Sequence, residues 1–281
     1  MSPRNIIASV TDRLRKLAND RGEVFDRVLN RYALERILYR IGISKHADRF
    51  VLKGALLFYL WNEQLHRPTK DMDFLGFGPM ESADLRGIIE EVLSDDSVID
   101  GLAFQMDLIS VEAIREDAVY SGLRIRFPVK LGNIRIPVQI DVGSGDAITP
   151  AAESKTFPVL LSEFPAPEIR SYPVYTVIAE KLEAIVTLGY ANSRMKDYFD
   201  LHYILRTESP DPEQIINAVR RTFEARKTGI PTVRPAGLSD DFAKFKEDMW
   251  RGFLNRNKLS MEADFGEVVL FIREKLHLDW T

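Results

Sequence analysis

Cysteine is absent from the chain. That excludes disulfides, thiolate metal sites and cysteine nucleophiles, and leaves carboxylates, hydroxyls, amines and four histidines to carry any chemistry. Long apolar runs are missing too: no stretch reaches the roughly 18 residues that suggest a membrane-spanning helix. The opening Met1-Ser2-Pro3-Arg4-Asn5 leads into an amphipathic segment with Arg13, Arg15 and Lys16, which does not read as a secretory signal. A cytoplasmic protein with no membrane partner is the expectation. The histidines (46, 66, 202 and 277) share no ligand spacing such as His-x-x-x-His and read as structural or exposed. An excess of positive charge is also lacking. A net charge of −4 excludes coating nucleic acid through bulk charge, so any RNA contact needs a local basic surface. Candidate clusters are Arg220-Arg221 with Arg226-Lys227, Lys244 with Lys246, and Arg251 with Arg256-Lys258; each taken singly reads first as a solvated helix face.

The 281 residues, 45% hydrophobic and 28% charged, fit an ordinary globular protein of one large domain or two lobes. Ile6, Val10, Leu14 and Leu17 recur at helical spacing, as do Val24, Val28, Tyr32, Leu34 and Ile37. A further helix is expected over 54–64, and another from Ser82, as its cap, to Leu93. The period then shortens. Residues 104–112 and 120–129 alternate, Leu131-Gly132-Asn133 is a turn signal, and 134–142 reads as another strand. Prolines 150, 158, 165, 167 and 173 mark 143–173 as irregular connection. Helices are expected over 174–188, 195–205, 212–225, 240–254 and 262–276. The order helices, mixed sheet, helices gives an α/β (α+β) chain. Residues 1–44 are expected as N-terminal helices packed on the core, 45–150 as an α/β lobe, and 151–281 as a mainly helical C-terminal lobe.

The chemistry-bearing residues fall into two constellations. The first is Leu52-Lys53-Gly54-Ala55-Leu56 followed by Arg67-Pro68-Thr69-Lys70-Asp71-Met72-Asp73-Phe74. On a strand, Asp71 and Asp73 share a face while Met72 and Phe74 point to the other. Adjacent carboxylates repel and raise each other's pKa, and a divalent cation is the usual offset. Magnesium takes one or two carboxylates plus substrate phosphates. A glycine turn at a helix start offers backbone N–H groups to anions. Asp-x-Asp also occurs by chance on solvent faces and in turns. Asp141, in Val138-Gln139-Ile140-Asp141-Val142-Gly143, is a lone acid among strand aliphatics, where an unpaired buried carboxylate is expensive. It reads alternatively as a strand-end acid meeting solvent or capping the following turn. The second constellation is Glu180-Lys181 with Arg194-Met195-Lys196-Asp197-Tyr198-Phe199-Asp200, by composition two amphipathic helices with ordinary charged faces. Gly76-Phe77-Gly78 reads as a turn.

Together these motifs resemble the polymerase-β-like nucleotidyltransferases and, more narrowly, the AbiEii/AbiGii-type toxins of toxin–antitoxin and abortive-infection systems. Gly54-Ala55 stands where that family has Gly-Gly or Gly-Ser, so a phosphate contact there rests on backbone N–H groups. The resemblance implies a mixed nucleotidyltransferase sheet flanked by helices. It implies Asp141 as a third metal carboxylate beside Asp71 and Asp73, with Asp146 as the substitute, and magnesium, or manganese in its place, as cofactor. It implies catalytic roles for Asp71, Asp73, Lys181 and Asp197. Lys181 would face the triphosphate as a compact cation; Asp197 would hold Lys181 and Arg194 in place, or help to activate the attacking hydroxyl. Lys53, Gly54, Ala55, Thr69, Lys70, Glu180, Arg194 and Lys196 fall at nucleotide-binding positions. Some relatives are phosphorylated at the Thr69 position by an antitoxin kinase, which makes Thr69 a candidate regulatory residue; a hydroxyl that only bonds its own loop is the simpler reading. The implied activity is metal-dependent transfer of NMP from an NTP to RNA, at the 3′ end of tRNA, by a growth-arresting toxin with a cognate antitoxin and a role in antiviral defence. The alternatives are an antibiotic-modifying nucleotidyltransferase and a non-catalytic binding module.

Overall fold

The computed structural model describes residues 3–62, 67, 69–116 and 120–278. They divide into two compact units. The first comprises Met1–Leu65, Thr69–Gly145 and Glu153–Ser171; the second His66–Pro68, Asp146–Ala152 and Tyr172–Thr281.

The first unit opens with helices α1 (Pro3–Arg21) and α2 (Phe25–Ile43). Its strands are β1 (Phe50–Lys53), β2 (Asp71–Gly76), β3 (Leu102–Phe104), β4 (Ser110–Glu116), β5 (Tyr120–Leu131), β6 (Ile134–Gly143), β7 (Glu153–Thr156) and β8 (Glu168–Ser171). They form one mixed sheet in the order β3-β5-β6-β2-β1-β8-β7, with β4 also pairing with β5. β2 runs parallel to β6 and β1 parallel to β8; the remaining pairings are antiparallel. The period-2 pattern of β6 sends Ile136, Val138, Ile140 and Val142 into the core. In register with them stand Met72 and Phe74 of β2 and Leu123, Ile125, Phe127 and Val129 of β5. Phe50 meets Phe74 edge-on, with ring centroids 5.4 Å apart.

α2 is buried along most of its length, including Arg36 and Arg40. Burying two guanidinium groups requires compensation. Asp100 supplies it, at 3.3 Å from Arg36 Nε and 2.5 Å from Arg40 Nη1, and Arg36 Nη1 also donates to the Pro165 carbonyl at 2.7 Å.

The second unit holds α5 (Val174–Leu188), α6 (Met195–Thr207), α7 (Pro212–Ala225), α8 (Asp240–Asn257) and α9 (Phe265–Leu276). Helix α4 (Ser82–Leu93) belongs to the first unit, as does the short α3 (Leu57–Asn62). Asp211 caps α7, with Pro212 at its first position, and Asp264 and Glu267 form a capping box on α9. Tyr198 stacks on Phe242 and meets Phe265 edge-on, while Trp250 stacks on Phe265, so aromatic rings join α6, α8 and α9.

Several expectations are corrected. Residues 143–173 are not all irregular, because β7 and β8 lie there and extend the sheet past β1. The run 104–112 is broken by a 3-10 turn over Met106–Leu108, and the strand begins at Ser110. α4 is preceded by Glu81, with no side-chain cap from Ser82. Gly54–Leu56 is a 3-10 turn and α3 starts only at Leu57; Gln64, the expected helix end, lies outside the described residues, as do His66 and Pro68. Among the described residues no helix is long and apolar enough to cross a membrane.

Candidate active site

Directly paired residues on neighbouring strands share a face of the sheet, so register alone assembles a charged row. Lys53 of β1 pairs with Asp73 of β2, Asp73 with Asp141 of β6, and Asp141 with Arg124 of β5. A second row lies two residues along: Asp71, Gln139 and Arg126. Asp71 and Asp73 therefore do project together, with Met72 and Phe74 fully buried on the opposite face. Adjacent strands lie about 4.8 Å apart, which sets Asp141 beside Asp73 although 68 residues of chain separate them.

Each member of the row is positioned by an identifiable contact. Gly54 has φ of +73°, a conformation that glycine adopts without strain. A Cβ at this position would overlap Asp73 Oδ2 and come within 2.7 Å of its Cγ. The glycine thus makes room for the Asp73 carboxylate. The neighbouring Ala55 side chain is buried in the core, so only its backbone is available to a ligand. Thr69 Oγ1 reaches the Asp71 carbonyl at 3.4 Å, a local loop bond, and Lys70 is exposed. Asp141 receives a two-pronged bond from Arg124: Nε to Oδ1 at 2.8 Å and Nη2 to Oδ2 at 2.7 Å. This bond, assisted by the charges of Asp141, Asp71 and Glu112, raises the Arg124 pKa above the ordinary arginine value. Gln139 Nε2 adds a third bond to Asp141 Oδ2 at 3.3 Å.

The donor set is hard carboxylate oxygen, which suits magnesium rather than zinc or copper. Among the described residues no group of three or more His, Asp or Glu side chains is gathered closely enough to hold a metal by itself. The arrangement fits an ion bound by the Asp71–Asp73 pair and completed by substrate phosphates. Asp141, beside that pair, is bonded by Arg124 and Gln139.

The second unit carries the other constellation. Lys181 of α5 donates to Asp197 Oδ1 at 2.9 Å and to Asp200 Oδ2 at 2.7 Å, both carboxylates of α6. Arg194 Nε lies 2.7 Å from Asp197, and Arg67 grips Asp200 with two bonds of 2.7 and 2.9 Å. Asp197 and Asp200 are almost wholly buried. Burial works against the charge on Lys181, but Asp197 and Asp200 outweigh it and hold its pKa above the ordinary lysine value. Burial likewise opposes ionisation of Asp197, yet Lys181 and Arg194 keep its carboxyl below the usual range. Lys196 is exposed on α6. Glu180 accepts from the Tyr172 hydroxyl at 3.1 Å and lies 3.5 Å from Arg226.

Asp146, the expected substitute for Asp141, belongs to the second unit and pairs with Arg226 at 2.9 Å. Arg226 is not part of an open basic surface. It also binds Glu183 at 2.7 Å and is only 11% exposed in its side chain, while Arg220, Arg221 and Lys227 are exposed.

The sequence model for the nucleotidyl transferase AbiEii toxins of type IV toxin–antitoxin systems matches residues 36–269, far more than half of the chain. The chain belongs to the AbiEii family. It is accordingly a nucleotidyltransferase, a toxin-family enzyme whose reaction consumes a nucleoside triphosphate and whose system includes an antitoxin. No curated protein sequence matches it. The fold is similar to that of JHP933 from Helicobacter pylori, with 16% identity, a TM-score of 0.50, and coverage of 88% of this chain and 89% of that one. A second H. pylori chain, described as a candidate nucleotidyltransferase, aligns over 89% of this chain and 92% of its own at 15% identity and a TM-score of 0.49.

Arg67, Asp200 and Arg124 were not among the expected functional residues. Arg124 carried a legible signal. Counting outward along both strands from the Gly132-Asn133 turn pairs it with Asp141. Arg67 and Asp200 carried none beyond membership of the two motifs.

Proposed function

We propose that this AbiEii enzyme transfers NMP from an NTP to the 3′ end of tRNA, using a divalent cation, magnesium or manganese, held by Asp71 and Asp73 with Asp141. The observation that carries the reading is the register of β2 and β6, which aligns all three acids on one sheet face. A bound cation supplies Lewis-acid neutralisation of phosphate charge. The chain's own part is to hold Asp73 against Gly54, to keep Asp71 on the same face, and to present Lys53 at the end of the row as a phosphate-facing cation. Ala55 contributes only its backbone N–H, and Thr69, Lys70 and Lys196 are offered to the nucleotide. Lys181 and Asp197, with Glu180 and Arg194, are kept as residues needed for activity. The locked ion pairs favour a role for Asp197 in holding Lys181 and Arg194 over proton abstraction, because a carboxylate with a lowered pKa is a weak base. Regulation at Thr69, the domain boundaries at 44 and 150, antiviral defence and a cytoplasmic location belong to the same proposal.

The deciding experiment incubates the protein with magnesium, each labelled nucleoside triphosphate and total bacterial RNA. Label in tRNA-sized species that is lost in Asp71→Asn and Asp73→Asn supports the reading. Unlabelled RNA together with a labelled aminoglycoside replaces it with the small-molecule alternative. Labelling that survives both substitutions removes the metal assignment.

A further inference from the structure

Arg124 stands directly across from Asp141 and takes both of its oxygens in a two-pronged bond. With Gln139 as a third donor, the carboxylate that lies in register with Asp73 is already satisfied. The pair is sheltered, with the Arg124 and Asp141 side chains 27% and 16% exposed. Sheltered, two-pronged, charge-assisted pairs are stronger and more directional than exposed ones. Arg126, on the same face and two residues along, bonds instead to Glu112 and to Gln139 Oε1.

We propose that Arg124 is a positioning residue that competes with the divalent cation for Asp141 and yields the carboxylate when cation and triphosphate arrive together. The proposal rests on the reading that Asp71, Asp73 and Asp141 hold the cation. The guanidinium takes one lone pair on each oxygen and Gln139 a second on Oδ2, so a cation that uses Asp141 is left a single lone pair on Oδ1 beside a fixed positive charge, and firm coordination favours displacing a prong. In its present pairing Arg124 offsets the repulsion between Asp141 and Asp73. Once released, its charge is available to the phosphates. Nucleotide and cation binding are then coupled: each lowers the barrier to the other by removing the arginine from the acid.

The test measures manganese binding to the full chain by titration calorimetry, without nucleotide, for wild type, Arg124→Gln, Arg124→Lys, Arg126→Gln, Asp141→Asn and Asp71→Asn, with melting curves for each. Arg124→Gln should lower the manganese Kd by roughly three- to tenfold. Arg124→Lys keeps the charge but loses the fork, and should also tighten binding. Arg126→Gln should leave the Kd unchanged. The gain from Arg124→Gln should vanish in the Asp141→Asn background, and its KM for the triphosphate should rise. An unchanged or higher Kd in both Arg124 variants overturns the proposal. Equal tightening in Arg126→Gln reduces the effect to bulk charge and overturns it as well. Manganese binding that survives Asp71→Asn instead refutes the metal reading on which the proposal stands.

Discussion

Gly54→Ala perturbs the candidate site through a single methyl group. At φ of +73° an alanine sits in the left-handed region, which costs about 1–2 kcal/mol relative to glycine. Its Cβ would overlap Asp73 Oδ2 and approach Asp73 Cγ to 2.7 Å and Cβ to 2.9 Å, where ordinary contact begins near about 3.5 Å. The carboxylate must swing to another rotamer, adding about 0.5–1.5 kcal/mol. The sum, about 1.5–3.5 kcal/mol, lowers the melting temperature by roughly 3–14 °C for a chain of this size. Moving Asp73 also spoils the geometry of any reaction that depends on it, by on the order of a hundredfold. Calorimetric melting and labelled-NTP transfer read the two effects separately. The decisive comparison is a double-mutant cycle with Asp73→Ala, which removes Oδ2 and Cγ. In that background Gly54→Ala should retain the backbone strain and the close contact with the remaining Asp73 Cβ, leaving a coupling of about 1 kcal/mol from the lost overlap with Oδ2 and Cγ. If Gly54→Ala melts and turns over like wild type, or carries the same penalty in both backgrounds, the close approach of glycine and carboxylate is not what positions Asp73.

Further outcomes follow from the charged groups. Lys181→Met removes the cation that Asp197 and Asp200 share, and should destabilise by about 2–3 kcal/mol besides impairing transfer. Because the Asp197 pKa is lowered in the folded state, its contribution is present above its unfolded value and fades as pH falls; the wild-type advantage in denaturant melts should narrow below about pH 4. Glu35 shows the opposite sign. Burial raises its pKa from 4.5 to about 8, so the folded state holds a proton that the unfolded state has released, and stability declines as pH rises through that window. Glu35→Gln, neutral throughout, should lose less melting temperature than wild type between about pH 5 and about pH 8; equal slopes would show that Glu35 does not titrate there. Finally, Arg226→Gln removes the guanidinium that Asp146 and Glu183 share and should destabilise by about 2–4 kcal/mol. Replacing exposed Arg220, Arg221 and Lys227 by glutamine should leave the melt unchanged while weakening RNA modification and flattening its salt dependence. Unaltered RNA modification in that triple variant moves the RNA surface elsewhere.

Local pattern determined much of this protein. Period-3.6 apolar spacing gave α5 and α7 their observed limits, Val174–Leu188 and Pro212–Ala225, because an amphipathic face fills each segment and, for α7, Pro212 marks the first turn. Alternation placed Asp71 and Asp73 on one face of β2, and the Gly132-Asn133 turn set the β5–β6 register that opposes Arg124 to Asp141. These arrangements depend on neighbours a few residues away. Tertiary structure decided what no local pattern encodes. The parallel pairing of β2 with β6 sets Asp141 beside Asp73, and the parallel pairing of β1 with β8 turns a proline-rich connection into sheet edge. Parallel neighbours are joined by long crossovers, so their register depends on how whole faces pack and not on a turn. The same holds for charge. Arg226 and Arg220 read alike in sequence, yet only Arg226 meets Asp146 and Glu183, acids distant in the chain, and is thereby withdrawn from solvent.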